Sequence, residues 1–137
     1  MCLPASITAP RVLVISGDQW PRAGIRAELR EAGYDAIGAL DVAAAFACPA
    51  RDPSRGPVRL IVVEQDALSD DEARESLGRL TARYGGPPVV LLAHATRAQP
   101  AGHWAAILRR PFSVGDVVAA VRRLVPLPPG QDLPLDR

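Results

Sequence analysis

Short apolar runs in this chain end in residues able to do chemistry. Arg11 to Ser16 leads into Gly17 and Asp18, Arg59 to Val63 ends at Glu64, Pro88 to Leu92 ends at Ala93, and Ala105 to Arg109 runs into Arg110-Pro111. Asp18 and Glu64 are carboxylates that could share a hard cation, because such ions demand clustered oxygen ligands. Arg110 could clamp an anion or neutralise Glu64 through charge-assisted hydrogen bonds. An isolated buried carboxylate is costly, so Glu64 is expected either to pair with Arg110 or to sit at a partly exposed loop edge. Asp18 also stands where a helix should start, and capping is the commoner use of aspartate. Asp66, two residues beyond Glu64, reads as a solvated turn residue.

Other chemistries find little support. Every strongly basic side chain is arginine, so neither a Schiff-base lysine nor a lysine phosphate clamp is available. His94 and His103 share no short metal spacing, and Cys2 and Cys48 fit no ligand pattern; the histidines read as surface or loop residues and the cysteines as an unrelated pair. Ser16-Gly17-Asp18 follows a strand, yet the dinucleotide glycine fingerprint and the phosphate-loop motif are both missing. No nucleophile is accompanied by a recognisable base. The expectation is a protein that is not an enzyme, with no metal site and no cofactor.

The 137 residues suit one domain with a core of its own. With 48% hydrophobic and 23% charged residues the composition is globular, and 16 basic against 15 acidic residues give a net charge of +1. Neither nucleic acid nor a membrane is expected as a partner. The apolar runs fall short of a membrane span, and Met1 to Pro10 lacks the pattern of a signal peptide, so a cytoplasmic location is expected.

The elements that must position these residues follow from periodicity. RVLVIS (11–16), RLIVVE (59–64) and PVVLLA (88–93) are near-continuous apolar runs, the pattern of strands covered on both faces. Ile25, Leu29 and Ala32 share one face of a helix that Asp18 would cap and Gly33 would stop. Asp35 to Leu40 reads as a weaker strand, Asp41 as the cap of a short helix through Phe46, and Cys48 to Pro57 as a loop. Ser69 to Glu72 reads as a capping box ahead of a helix with Ala73, Leu77, Leu80 and Tyr84 inward, ended by Gly85-Gly86. The stretch around Gln99-Pro100-Ala101-Gly102 can hold at most a broken helix. Ala105 to Arg109 is a last strand, and Val114, Val117, Val118, Val121 and Leu124 form the apolar stripe of a closing helix with Ser113 as cap. Trp20 and Trp104 are expected to pack. The fold class is therefore α/β: a doubly wound, five-stranded parallel sheet with flanking helices, the fourth short or irregular. Sites in such sheets lie at the C-terminal strand ends.

Quoted in order, RVLVISGDQWPRAGIRAELREAGYDA, PVRLIVVEQDAL, PPVVLLAHA and AAILRRPFSVGDVVAAVRRL resemble the receiver domain of two-component response regulators over about residues 10–126. The first strand and helix carry the resemblance most specifically, together with RRPFS, which is similar to the family's Lys-Pro-Phe segment. It implies a (βα)5, flavodoxin-like receiver architecture, with residues 1–9 as an extension and 127–137 as a loose, proline-rich tail. In that family an aspartate at the end of the third strand accepts a phosphoryl group beside a magnesium ion held by acids. Here Ser16 and Gly17 stand where the resemblance puts the metal-binding acids. Glu64 stands at the acceptor, Ala93 at the hydroxyl, Arg110 at the lysine and Ile107 at the aromatic switch. The family's proline and glycine after the acceptor become Leu68 and Glu72.

What the resemblance implies is an atypical, stand-alone receiver that has lost acyl-phosphate chemistry and works through protein contacts. Ser16, Gly17, Asp18, Glu64, Ala93 and Arg110 would form a degenerate phosphorylation pocket, with Glu64 either a fixed imitation of the phosphorylated state or a structural partner of Arg110. The expected contact face is Trp104, Ile107, Arg109, Arg122 and Arg123, and the expected partner is a signalling protein or a second copy of the chain. Two alternatives stay open: a metal- or small-anion-dependent sensor using Asp18, Glu64 and Arg110, and a small α/β enzyme.

Overall fold

Strands β1 (Arg11–Ile15), β4 (Gly56–Glu64) and β5 (Val89–Ala93) form the centre of a parallel sheet, because β-branched and leucine side chains fill both of their faces. Strand β2 (Asp35–Ala39) flanks β1, and β6 (Ala106–Arg109) flanks β5. Without the two-residue β3 (Arg51–Asp52) the order is 2-1-3-4-5, the doubly wound flavodoxin-like arrangement. The structure, a computed structural model, describes residues 9–127. The expected extension up to residue 8, Cys2 and the tail from residue 128 lie outside the described residues.

Side chains alternate across each strand, so the helices on the two sides receive different residues. Helices α1 (Gln19–Ala32) and α4 (Val114–Leu124) lay Ile25, Leu29, Val117 and Val121 on Val12, Val14, Leu60, Val62 and Val90. On the other face α2 (Val42–Ala45) and α3 (Asp71–Arg83) cover Leu13, Ile15, Ile61, Val63 and Leu91 with Ala45, Leu77 and Leu80, and Tyr84 joins them. Buried tyrosine hydroxyls fasten the helix ends: Tyr34 donates to Val125 O at 2.6 Å, and Tyr84 donates to Cys48 O at 2.8 Å and Ala45 O at 3.2 Å. Burial pushes the Tyr84 phenol well above its ordinary pKa, so it stays a donor.

Several ends form as the sequence suggests, and several do not. Gly33 closes α1 at φ 111°, Asp41 accepts from Ala44 N at 2.7 Å, and Ser113 with Asp116 makes a reciprocal capping box on α4. Asp18 occupies the N-cap position of α1, but its carboxylate caps nothing; its N–H instead donates to Ser16 Oγ at 3.3 Å. The box expected at Ser69 to Glu72 is replaced by Asp70, which accepts from Ala73 N at 2.7 Å after a 3-10 turn over Gln65–Leu68. Strand β2 stops at Ala39, leaving Leu40 exposed. Trp20, expected to pack, is 81% exposed in the first turn of α1, away from the buried face that carries Ile25 and Leu29.

The expected loop from Cys48 to Pro57 is a hairpin in which β3 pairs antiparallel with Gly56 and Pro57 at the start of β4. Gly56 adopts φ 87°, which a side chain would resist, and so closes a three-residue turn. Within it Asp52 Oδ1 accepts from Ser54 N, Ser54 Oγ and Arg55 N. Arg55 reaches across to grip Asp35 at 2.7 and 2.8 Å. At the base lies Arg11, only 1% exposed although it opens a hydrophobic strand.

The hydrogen bond from Arg55 holds the Asp35 carboxyl below the usual range against the opposing effect of burial. Asp52 is held low by the Ser54 backbone and hydroxyl donors. A carboxylate depressed in the folded state contributes stability above its unfolded pKa, and that contribution disappears as pH falls through the folded value. Asp35→Asn is therefore expected to lower stability at pH 7 and to flatten the loss seen below about pH 4, the ordinary carboxylate range. Urea unfolding from pH 7 to 2.5 measures this, and a variant with the wild-type acid slope would contradict it.

Candidate functional site

At the C-terminal ends of β1, β4 and β5 the chain brings together Ser16, Glu64, Ala93 and Arg110. Glu64 is the last residue of β4 and 2% exposed, aimed into the sheet end rather than at solvent. Ser16, fully buried after β1, donates its hydroxyl to Glu64 Oε1 at 2.8 Å. From the loop after β6, Arg110 Nη2 donates to Glu64 Oε2 at 2.9 Å, while its backbone N–H donates to Ala93 O at 3.1 Å. The half-exposed Arg110 side chain thus forms a lid whose inner end is charge-paired. Arg22 of α1 adds a 2.6 Å bond to Ser16 O. The expected pair of Glu64 and Arg110 exists, and Ser16 is a partner that the spacing alone did not identify.

Chemically this arrangement is a closed knot. Each Glu64 oxygen accepts a strong hydrogen bond, Gly17 is exposed and offers no side-chain oxygen, and Asp18 turns its carboxylate to no partner in the knot. Magnesium, which the resemblance implies, wants several carboxylate or water oxygens in octahedral array. The residues here do not fit it: a hydroxyl and a guanidinium hold the oxygens the ion would take. Among the described residues no three histidine, cysteine, aspartate or glutamate side chains converge as a ligand group. Ala93, buried at the end of β5, presents a methyl group and no hydroxyl.

Between β5 and β6 no helix forms, and side-chain donors meet the loop's carbonyls instead. Arg109 bonds His94 O at 3.1 Å and Arg97 O at 3.2 Å, buried Gln65 donates to Ala98 O at 2.7 Å, and Trp104 Nε1 donates to Pro100 O at 2.9 Å. Gln65 Oε1 also accepts from His94 N at 2.9 Å, and His94 Nε2 lies 2.8 Å from Asp66 Oδ1. His94 lies in the loop after β5 and Asp66 in an exposed turn, as the sequence suggests, and the two are paired with each other, while His103 is exposed. Gln65 was missed, since an amide after a strand carries no signal of its own.

The expected contact residues divide. Trp104 packs on the α3 side of the core, and Arg109 is engaged with the loop and with Gln99 Oε1 at 2.6 Å. Ile107, on edge strand β6, is 37% exposed, and Arg122 and Arg123 project from α4. With no helix between β5 and β6, the sheet edge at Ile107 is left open.

Removing either partner of the knot separates structural from chemical roles. Glu64→Ala is expected to cost about 2–4 kcal/mol, from a small cavity and an unsatisfied Ser16 hydroxyl. Arg110→Ala should cost less, about 1–3 kcal/mol, because water can reach the vacated side of the carboxylate. Urea denaturation measures both; changes within about 0.5 kcal/mol would place Glu64 outside the fold's supports.

No model of a known protein family matches the chain, and no curated protein matches it in sequence. Solved structures do. A chemotaxis response regulator of Vibrio cholerae is 18% identical, with a TM-score of 0.68 over 86% of this chain and 100% of its own. A response regulator of Thermotoga maritima is 16% identical, with a TM-score of 0.66 over 85% and 98%. The receiver domain of a Francisella response regulator is 22% identical, with a TM-score of 0.63 over 84% and 95%. Identities this low carry architecture and not chemistry: the chain has the CheY-like, flavodoxin-like fold of response-regulator receivers.

Proposed function

We propose that this chain is a receiver-like signalling domain that acts by protein contact and independently of phosphorylation. The observation that carries the reading is the closed state of Glu64. A phosphoryl acceptor needs a free carboxylate oxygen in line with the donor and a cation to neutralise charge in the transition state. Glu64 has both oxygens bound, and its neighbours are a hydroxyl, a glycine and an alanine. Its charge is permanently compensated by Arg110, so the strand ends hold one arrangement, and the domain presents a fixed surface.

The contact surface in this reading is the open edge at Ile107, backed by the core-packed Trp104 and the loop-held Arg109 and continued by Arg122 and Arg123. An exposed branched aliphatic residue beside arginines combines an apolar anchor with charges that set orientation. The partner is a signalling protein or a second copy of the chain, which sedimentation distinguishes.

Thermal melting with magnesium and beryllofluoride, a phosphoryl mimic that needs an acceptor carboxylate and a metal together, is expected to match melting without them. Partner capture is expected to survive under the same conditions and to be lost in Ile107→Glu, whose melting should stay within a few degrees of wild type. A magnesium-dependent stabilisation, or capture indifferent to Ile107→Glu, would contradict the proposal.

A further inference from the structure

At the end of the sheet opposite Glu64, the β3–β4 hairpin and the start of β1 enclose a cleft of about 300 Å³, at the lower end of small-molecule sites. Its lining is dominated by Arg11, Arg51, Arg55 and Arg59, with Asp52 as the acidic member. We propose that this cleft is a binding site for a compact, doubly charged phosphate group.

Arg11 is the first reason. Its guanidinium is buried, yet among the described residues no carboxylate lies within ion-pair distance of it. Nη1 donates to Gly56 O at 2.9 Å and more weakly to Pro49 O at 3.5 Å, Nη2 lies 3.4 Å from Cys48 Sγ, and Nε has no partner at all. The guanidinium is thus held in a poorly screened place by backbone carbonyls and a thiol and not by an opposite charge. Apolar packing alone would be better served there by methionine or leucine.

The rim is the second reason. The Arg51 and Arg59 side chains are exposed and make no hydrogen bond or ion pair among the described residues. Arg55 is matched by Asp35, and the Asp52 carboxylate is turned inward onto Ser54 and Arg55 N–H groups. Setting Arg11, Arg51, Arg55 and Arg59 against Asp35 and Asp52 leaves an excess of two positive charges around one concavity. A phosphate monoester or inorganic phosphate near neutral pH carries close to two negative charges and presents oxygens to guanidinium forks. A single carboxylate would leave half of the excess unmet. The Asp52 turn and the Asp35–Arg55 bridge hold the wall in place beforehand, which limits the ordering cost of binding.

Calorimetric titration and melting of the full chain with inorganic phosphate, a nucleoside monophosphate and acetate at matched ionic strength test the site. Phosphate is expected to bind saturably and to raise Tm by about 8–12 °C at a hundredfold excess over Kd, while acetate does neither. Arg51→Gln with Arg59→Gln should weaken phosphate about tenfold or more, whereas Arg122→Gln with Arg123→Gln, which removes the same charge from α4, should leave it unchanged. Tighter binding of the ester would assign a phosphorylated metabolite, and tighter binding of inorganic phosphate the free ion; either supports the site. Absence of saturation, equal binding of acetate, or equal loss in the two arginine pairs would overturn it. A general salting effect would raise Tm alike in all variants.

Discussion

A carboxylate sealed from water needs a donor on each of its oxygens, and Glu64 draws those donors from two distant segments. Its demand is met by a hydroxyl from the end of β1 and a guanidinium from the loop after β6. The first strand, the central strand and the last loop are thereby fixed relative to one another at the end of the sheet where α/β proteins place their sites. Ser16 in turn receives Asp18 N–H and, through its carbonyl, Arg22, so the entry into α1 is set by the same knot. The interaction that organises this end is an internal one, made by Ser16 and Arg110 on the two Glu64 oxygens.

The segment from 94 to 105 shows the same accounting in a different form. A helix would have satisfied its own backbone; Pro100 and Gly102 discourage one, and the carbonyls of His94, Arg97, Ala98 and Pro100 are met by Arg109, Gln65 and Trp104. A loop held by side chains is as specific as a helix but covers less of the sheet, and the cost falls on β6, where Ile107 faces outward. Loss of the helix and exposure of the edge are thus one event.

What could be read from the sequence was whatever periodicity and capping control. The buried strands around Leu13, Ile61 and Leu91 and the stripes on α1, α3 and α4 follow from local pattern, while the cost of an unpaired charge left Glu64 with two outcomes, a pair with Arg110 or a loop-edge position, of which the structure shows the pair. What escaped reading depends on contacts between distant segments. Arg11 looks like the polar start of a strand, and its burial is decided by a hairpin some forty residues later. The hairpin hides because its strand is short and its composition, rich in proline and arginine, reads as loop. Asp18 and Ser69 illustrate a residue type in the right neighbourhood with the bond made by Ser16 or Asp70 instead. Trp20 shows the limit of assuming that a large aromatic packs.

The central claim is that Glu64 is a structural charge and not a phosphoryl acceptor. Its most direct test is intact-mass analysis of the protein after incubation with magnesium and a small-molecule acyl phosphate, followed by hydroxylamine treatment. Unchanged mass is the predicted result. A phosphoryl adduct that hydroxylamine releases, and that disappears in Glu64→Gln, would contradict the account.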